Sequence, residues 1–327
     1  MSETLPSSLA LELARVTEAG AIAAARWLGR GDKNAADKAA VDAMRDALES
    51  CPISGVVVIG EGEKDEAPML FIGEEVGSGG PAVDIAVDPL EGTTLTAKGQ
   101  PNALATLAIA PRGTMFNPGP AVYMEKLAGG PAIADLLDLD RPIAELLAAI
   151  AERKGCAVCD LGVVVLDRDR HLEMIGRMRA AGARVRLIPD GDVAASLMPI
   201  RAGSGIDLLW GVGGTPEGVL SAAAIRSVGG RIIGRLWPRS DEERAAIVAA
   251  GLDVERVLDT DDLVASQDAL FAATGVSDGD LVHGVRFGAT QVETQTLVLR
   301  GRCRTQRVIA STLDVDARVK RIPGSGY

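Results

Sequence analysis

The chain is poor in aromatic residues and in positive charge, and each shortage excludes a class of function. Aromatic residues make up 3% of the 327 residues, too few for the stacking platforms that hold single-stranded nucleic acid. Acidic residues outnumber basic ones by 45 to 34, and a net charge of −11 repels a phosphodiester backbone. We therefore expect no nucleic-acid partner. A phosphorylated ligand must bind through a local basic patch or through metal ions.

Long apolar runs are also missing. No stretch approaches the ~20 apolar residues of a membrane-spanning helix, and the start, Met1-Ser2-Glu3, lacks the basic residues of a signal peptide. We therefore expect a cytoplasmic protein with no membrane partner. The low number of cysteines, four, agrees with a reducing compartment.

Two of the cysteines, Cys156 and Cys159, form a C-x-x-C pair that has more than one interpretation. Such a pair occurs in redox sites and as half of a zinc site. A second pair is missing, however, and His171 and His283 are the only histidines. Because cysteine packs as a small hydrophobe and an apolar run follows at 161–166, we favour two half-buried structural thiols over zinc.

The most informative stretch begins with a predicted strand at 83–87. Asp88 stands at its end, and the proline that follows favours a tight turn that brings Asp88 and Glu91 together. Gly92 and Thr93 then offer backbone N–H groups and a hydroxyl suited to a phosphate. Two converging carboxylates beside a phosphate call for divalent cations. The alternative is an ordinary Asp-Pro turn with a solvated Glu91.

Three further acids occupy positions where a ligand could be reached. Glu61 lies between two glycines at the end of a buried strand, where the backbone can approach a ligand closely. Asp37 lies in the first turn of a helix predicted for 34–48, and Glu217 begins a helix after a glycine-rich loop, 211–218. Taken singly, the last two acids are better explained as partners of the helix dipole. The loop fits neither the dinucleotide nor the Walker pattern, so nucleotide binding is not expected.

The rhythm of predicted elements changes near residue 155. Before it, consecutive helices are followed by strands, whereas from 157 onward strands and helices alternate as in a parallel sheet. The sequence thus predicts an α/β fold with an α+β domain at 1–155 and a largely parallel α/β domain at 156–327. Because ligands bind at the carboxyl ends of parallel strands, the polar residues after 166, 188 and 210 are candidate contacts.

Taken together, the motifs resemble those of the metal-dependent, lithium-sensitive sugar and inositol phosphatases. The hallmark of that superfamily is Asp-Pro-hydrophobic-Asp/Glu-Gly-Thr, here residues 88–93. The resemblance is closer to the class II fructose-1,6-bisphosphatases and covers about residues 10–312. It is carried by the segments 31–37, 58–63, 65–70, 123–127, 188–196 and 213–218. Where that class often has Lys-Pro-Arg, this chain has Arg168-Asp169-Arg170.

The resemblance implies a layered α-β-α-β-α sugar-phosphatase architecture, with most metal ligands in the first domain and the substrate contacts mainly in the second. The implied metal ligands are Asp37, Glu61, Asp88, Glu91 and Glu217, and the implied catalytic residues are Thr93, Asp37 and Glu61. The implied substrate contacts are Glu91, Gly92, Thr93, Tyr123, Arg168, Asp169, Arg170, Asp190, Gly191, Asp192 and Gly214. An all-carboxylate set without thiol or imidazole selects Mn²⁺ or Mg²⁺ over zinc.

The activity that the resemblance implies is hydrolysis of the 1-phosphate of fructose 1,6-bisphosphate, a step of gluconeogenesis. A bifunctional enzyme that also accepts sedoheptulose 1,7-bisphosphate is the alternative, and an inositol-monophosphatase-like enzyme is a more distant one. A sugar-phosphate sensor that kept the fold without turnover is a further hypothesis. Family habit also predicts a homodimer or homotetramer.

Overall fold

The computed structural model describes residues 4–61 and 70–314, in which nine α-helices and fourteen strands occur. The helices are α1 (Leu9–Ala25), α2 (Lys33–Glu49), α3 (Thr93–Lys98), α4 (Ile143–Lys154), α5 (Leu172–Ala180), α6 (Asp192–Leu197), α7 (Thr215–Ser227), α8 (Asp241–Ala249) and α9 (Thr260–Leu263). The strands are β1 (Ser54–Ile59), β2 (Glu75–Val76), β3 (Ala82–Glu91), β4 (Leu104–Pro111), β5 (Tyr123–Gly129), β6 (Gly162–Leu166), β7 (Arg184–Ile188), β8 (Leu208–Gly214), β9 (Arg231–Leu236), β10 (Val257–Leu258), β11 (Leu270–Gly275), β12 (Arg286–Phe287), β13 (Gln291–Arg300) and β14 (Thr305–Asp314). The α/β class predicted from the sequence is confirmed. None of the helices described combines the length and hydropathy needed to cross a bilayer.

The chain divides into two compact units, each with its own sheet. Unit 1 contains the described residues up to 115 and from 266 onward, and unit 2 contains 116–265. The boundary expected at 155/156 lies inside unit 2, whereas the two units meet at 115/116 and 265/266. Strand pairing is the reason: β5 pairs with β8 and β9, whereas β11 returns from the end of the chain to pair with β4. Such non-local pairing leaves no trace in local periodicity.

Unit 1 has a mixed eight-stranded sheet in the order β12-β13-β11-β4-β3-β1-β2, with β14 on the other side of β13. β4 is buried along its whole length, as its apolar sequence Leu-Ala-Thr-Leu-Ala-Ile-Ala-Pro requires. α1 packs against β4, β11 and β13, and α2 packs against α1, β3 and α3. The side chain of Asp32 accepts a hydrogen bond from the N–H of Ala35 at 2.9 Å and caps the start of α2. This start carries Asp37 toward β3 and α3.

Unit 2 has a six-stranded sheet in the order β10-β9-β5-β8-β6-β7. β6 is parallel to β7 and β8, and β8 and β9 are both antiparallel to β5. The four strands β6, β7, β8 and β9 therefore run in one direction, as the alternating pattern predicts. β5 lies between β8 and β9 and runs the other way, so the start of β5 meets the carboxyl ends of its neighbours.

Candidate active site

A β-bulge, not the predicted tight turn, brings two acids together in unit 1. β3 continues through Asp88 to Glu91, and across the sheet Asp88 faces Thr106 while Glu91 faces Leu104. The three residue positions from Asp88 to Glu91 in β3 thus match only two positions, from Thr106 to Leu104, in β4. β3 therefore contains one extra residue, which defines a β-bulge. The N–H of Leu90 donates to Asp88 Oδ1 at 3.1 Å within the bulge.

The bulge decides which way the acids point. In a regular strand, residues three apart point to opposite faces. Thr106 and Leu104 are two apart and share a face, so their cross-strand neighbours Asp88 and Glu91 share it too. One carboxylate oxygen from each lies within 4.8 Å of the other. Like charges at this separation raise each other's energy and favour a bound cation.

Glu61 is placed at the same edge by the parallel pairing of β1 with β3. Ile59 pairs with Ala86, so Glu61 lies as far beyond Ile59 as Asp88 lies beyond Ala86. The N–H of Glu61 donates to the carbonyl of Leu70 at 2.9 Å. We call Glu61, Asp88 and Glu91 the carboxylate edge.

Gly60, the glycine before Glu61, is needed for packing within the chain. A Cβ at Gly60 would overlap the carbonyl oxygen of Leu70, so the close approach that this glycine permits is to backbone. Residues 62–69, which include the end of the resembling segment 58–63 and nearly all of the segment 65–70, lie outside the described residues.

Asp37 approaches from α2. Lys33, one helical turn earlier, donates from Nζ to Thr94 Oγ1 at 2.7 Å. Residues i and i+4 share a helix face, so Asp37 lies on the side of α2 that faces α3 and its first residue, Thr93. Burial raises the pKa of the Asp37 carboxyl above its ordinary value, which makes this carboxylate a better proton acceptor than a solvated one.

In unit 2 the predicted contact residues lie at one edge of the sheet. Tyr123, which starts β5, pairs with Gly214, which ends β8. Other contacts predicted from the sequence follow the ends of strands parallel to β8: they are Arg168, Asp169 and Arg170 after β6, and Asp190, Gly191 and Asp192 after β7. We call this set, with Lys126, the arginine edge.

The Arg170 side chain is held in place by both of its neighbours at this edge. Its Nε and Nη2 donate to the carbonyl oxygen of Val212 at 3.2 and 2.8 Å, and its guanidinium carbon lies 5.1 Å from the centre of the Tyr123 ring. The guanidinium of Arg239 approaches the same ring at 5.6 Å, and Trp237 meets it edge-on with ring centres 6.5 Å apart. Tyr123 is therefore flanked by cations and held by a second aromatic ring. Asp169 is exposed.

Lys126 is a site residue that sequence reasoning missed. Its side chain is 2% exposed, and its Nζ is ion-paired with Asp192, itself buried at the start of α6. Nζ also donates to the carbonyl of Gly214 at 2.8 Å. The available signal was a lysine within the mainly apolar run 121–127, because a buried lysine needs a partner.

Glu217 lies in the first turn of α7 in unit 2. Its Oε2 is buried and has no hydrogen-bond partner within the described residues. Burial raises the pKa of the carboxyl, and the neighbouring Asp192 raises it further. A buried carboxylate oxygen without a donor is costly unless a cation binds it, so Glu217 fits the ligand role better than that of a solvated dipole partner.

Two local predictions need correction. The glycine-rich segment predicted as a loop from residue 211 continues β8 through Gly214, and α7 begins at Thr215. A Cβ at Gly213 would overlap the Asp192 carboxylate, so this glycine makes room for the Lys126–Asp192 pair. The C-x-x-C cysteines are both free thiols, but only Cys156 is half-buried as predicted, whereas Cys159 is exposed.

Comparison with known proteins gives a family for this chain. The family model described as bacterial fructose-1,6-bisphosphatase, glpX-encoded, matches residues 7–313. The chain belongs to this family. The matched range contains every metal ligand and substrate contact predicted above. The resemblance inferred from the sequence motifs is thereby confirmed.

Curated relatives support the same assignment. Fructose-1,6-bisphosphatase 1 class 2 of Escherichia coli (strain K12) is 47% identical over 324 residues, which cover 95% of this chain and 96% of the relative. The class 2 fructose-1,6-bisphosphatases of Escherichia coli O6:H1 and of Shigella flexneri match with the same identity and coverage.

Proposed function

We propose that this chain hydrolyses the 1-phosphate of fructose 1,6-bisphosphate and releases fructose 6-phosphate and inorganic phosphate. Family membership and the names of the 47% identical relatives support the reaction. The observation that carries it is the bulge in β3, because it places the carboxylates of Asp88 and Glu91 side by side next to Gly92 and Thr93.

We propose Mn²⁺ or Mg²⁺ as the cofactor. The residues fit such ions, since the predicted ligands offer only carboxylate oxygens, the donors that hard divalent cations prefer. The unpartnered Oε2 of Glu217 is a further acceptor of the right kind. We propose that Asp37, Glu61, Asp88, Glu91 and Glu217 hold the ions. When bound, the ions supply Lewis-acid polarisation of the phosphoryl oxygens and lower the pKa of water.

The residues of unit 1 would orient the nucleophile and the reacting phosphate. The hydroxyl of Thr93 would orient the attacking water, and Asp37 would take its proton, which a pKa raised by burial favours. The backbone N–H groups of Gly92 and Thr93 are available to the phosphoryl oxygens. Glu61 would share the task of holding the nucleophile with Asp37.

The residues of unit 2 would bind the part of the substrate that does not react. Arg168 and Arg170 suit the distal phosphate, since a guanidinium pairs with two phosphate oxygens at once. Tyr123 and Asp190 are suited to sugar hydroxyls. Asp192 is engaged by Lys126, so we assign it mainly to holding Gly191 and the start of α6 in place.

The test is release of phosphate from the purified chain with Mn²⁺, with Mg²⁺ and with a chelator. Fructose 1,6-bisphosphate, sedoheptulose 1,7-bisphosphate and inositol 1-phosphate should be compared at matched concentrations. We expect metal-dependent turnover of fructose 1,6-bisphosphate and little turnover of the inositol monophosphate, which lacks a distal phosphate. Binding of the bisphosphate without turnover under all metal conditions would favour a sensor instead.

The expected homodimer or homotetramer stays a prediction. Light scattering of the purified chain at several concentrations measures it directly, and a single mass equal to that of one chain would contradict it.

A further inference from the structure

The segment that carries the two arginines is hydrogen-bonded to β8 through a single residue, Val212. The carbonyl of Val212 accepts both hydrogen bonds from Arg170, and the N–H of Val212 donates to Nε2 of His171 at 2.8 Å. Two consecutive residues of the segment, Arg170 and His171, are therefore hydrogen-bonded to the backbone of the same β8 residue.

The imidazole of His171 is held in one tautomer. A backbone N–H can only donate, so Nε2 must be the unprotonated acceptor. Nδ1 then carries the hydrogen and donates it to the carbonyl of Leu166, at 2.7 Å. His171 is 2% exposed, so neither bond is replaced by solvent. The ring therefore connects the end of β6 to β8 through these two hydrogen bonds.

The sequence makes room for this bridge. A Cβ at Gly211 would stand 3.3 Å from both Cε1 and Nε2 of His171, closer than side chains normally approach. Glycine at this position of β8 therefore lets the imidazole lie flat against the strand. The N–H of His171 also donates to the carbonyl of Arg168 at 2.9 Å, so the backbone of Arg168 is fixed relative to that of His171.

We propose that His171 is a positioning residue that sets the affinity for the distal phosphate by holding the Arg168–Arg170 segment on β8. The inference rests on the proposed function, in which these arginines bind that phosphate. Arg170 is exposed, and two of the five N–H donors of its guanidinium bond to Val212, which leaves three donors for a phosphate. Loss of the bridge would leave the arginines present but no longer pre-arranged.

The side chain of His171 allows the two bonds to be removed one at a time. Asparagine reaches about as far as Nδ1 and can keep the bond to Leu166, whereas glutamine reaches about as far as Nε2 and can keep the bond from Val212. His171→Asn, His171→Gln and His171→Leu should be compared with His283→Asn, which alters the other, exposed histidine. The substrates are fructose 1,6-bisphosphate and fructose 1-phosphate, which lacks the distal phosphate.

We expect His171→Asn, which removes one hydrogen bond to a buried group, to raise KM for the bisphosphate about tenfold, with kcat changed less than about twofold. His171→Leu removes both bonds and should raise KM at least as much. His171→Gln should recover most of the affinity, because its oxygen can accept from Val212. Turnover of fructose 1-phosphate should be the same in all variants. Gly211→Ala should resemble His171→Asn.

An unchanged KM for the bisphosphate in His171→Asn would overturn the proposal, and so would an equal loss with both substrates, which indicates a general structural role. Should His171→Leu fail to fold, the comparison of His171→Asn with His171→Gln decides alone.

Arg170→Ala separates this inference from the proposed function. If Arg170→Ala raises KM and the His171 variants do not, only the role of His171 is wrong. If the wild-type protein does not act on the bisphosphate, or if Arg170→Ala leaves KM unchanged, the arginines do not bind the distal phosphate. The proposed role of His171 is then wrong as well.

Discussion

The carboxylate edge of unit 1 and the arginine edge of unit 2 are built by different means. At the carboxylate edge, a backbone irregularity forces like charges together: the bulge turns Glu91 to the same face as Asp88. At the arginine edge, each cation is matched inside the same unit. Lys126 is paired with Asp192, and Arg170 is bonded to Val212 and stacked near Tyr123.

The difference separates two requirements of a phosphatase. Clustered carboxylates destabilise the apo protein and are useful when divalent cations bind. Matched cations cost little in the empty state and hold their geometry in advance, which suits recognition of a phosphate that does not react. Changes at the first edge should therefore abolish chemistry, and changes at the second should weaken binding or stability.

The largest expected effect is on catalysis at the carboxylate edge. Asp88→Asn keeps the shape of the side chain but removes its charge, so we expect kcat to fall by roughly a thousandfold, as when a key group that stabilises the transition state is removed. Steady-state phosphate release measures this. Asp46→Asn makes the same change at an exposed position of α2 and should leave kcat unchanged. Full activity in Asp88→Asn would remove the proposed mechanism.

The next effect is on stability at the arginine edge. Lys126→Met leaves the buried Asp192 carboxylate without its cation, and breaking a buried pair in this way costs about 3–5 kcal/mol of unfolding free energy. Urea denaturation measures the loss. Arg153→Gln breaks an exposed pair with Asp135 in the same unit and should cause no measurable change. Equal stability of the two variants would show that the buried pair contributes nothing.

A smaller effect is expected on substrate affinity. Arg168→Ala should raise KM for fructose 1,6-bisphosphate about tenfold with little change in kcat, because a charge-assisted bond to the distal phosphate is lost. Arg170→Lys keeps the charge but loses the planar fork, so its KM should lie between those of wild type and Arg170→Ala. Arg179→Ala, on the exposed side of α5, is the control. A fall in kcat at constant KM would assign Arg168 to the chemical step.

The smallest effect is a pH dependence of stability. Burial lowers the pKa of His171 below its ordinary 6.5, and Arg170 and Arg168 lower it further. At a pH between the two pKa values, His171 is protonated in the unfolded chain and neutral in the folded chain. The stabilisation by His171 is therefore complete above pH 6.5 and is lost as pH falls through the folded pKa. The stability advantage of wild type over His171→Asn should shrink by at most about 1.4 kcal/mol per pH unit in that range. A constant difference between wild type and His171→Asn across this pH range would contradict the assignment.

Much of the secondary structure follows from local pattern. The helix predicted at 34–48 differs from α2 by one residue at each end, since a cap such as Asp32 is a local signal. β11 was not predicted, because its short apolar run looks the same in a helix and in a strand. The extension of β8 through three glycines was also not predicted, since only the packing of His171, of the Lys126–Asp192 pair and of Glu217 against it makes those glycines necessary.

The order of acids, arginines and turns along the chain was enough to establish the family, the α/β class and the residues that merit testing, because motif spacing is a property of the sequence itself. The sharing of one face by Asp88 and Glu91 was decided by tertiary structure, since it depends on the register between β3 and β4. Tertiary structure also decided the insertion of β5 between β8 and β9, and the grip of His171 on Val212. These features join residues tens of positions apart, and such pairing is governed by packing and hydrogen-bond satisfaction across the whole sheet.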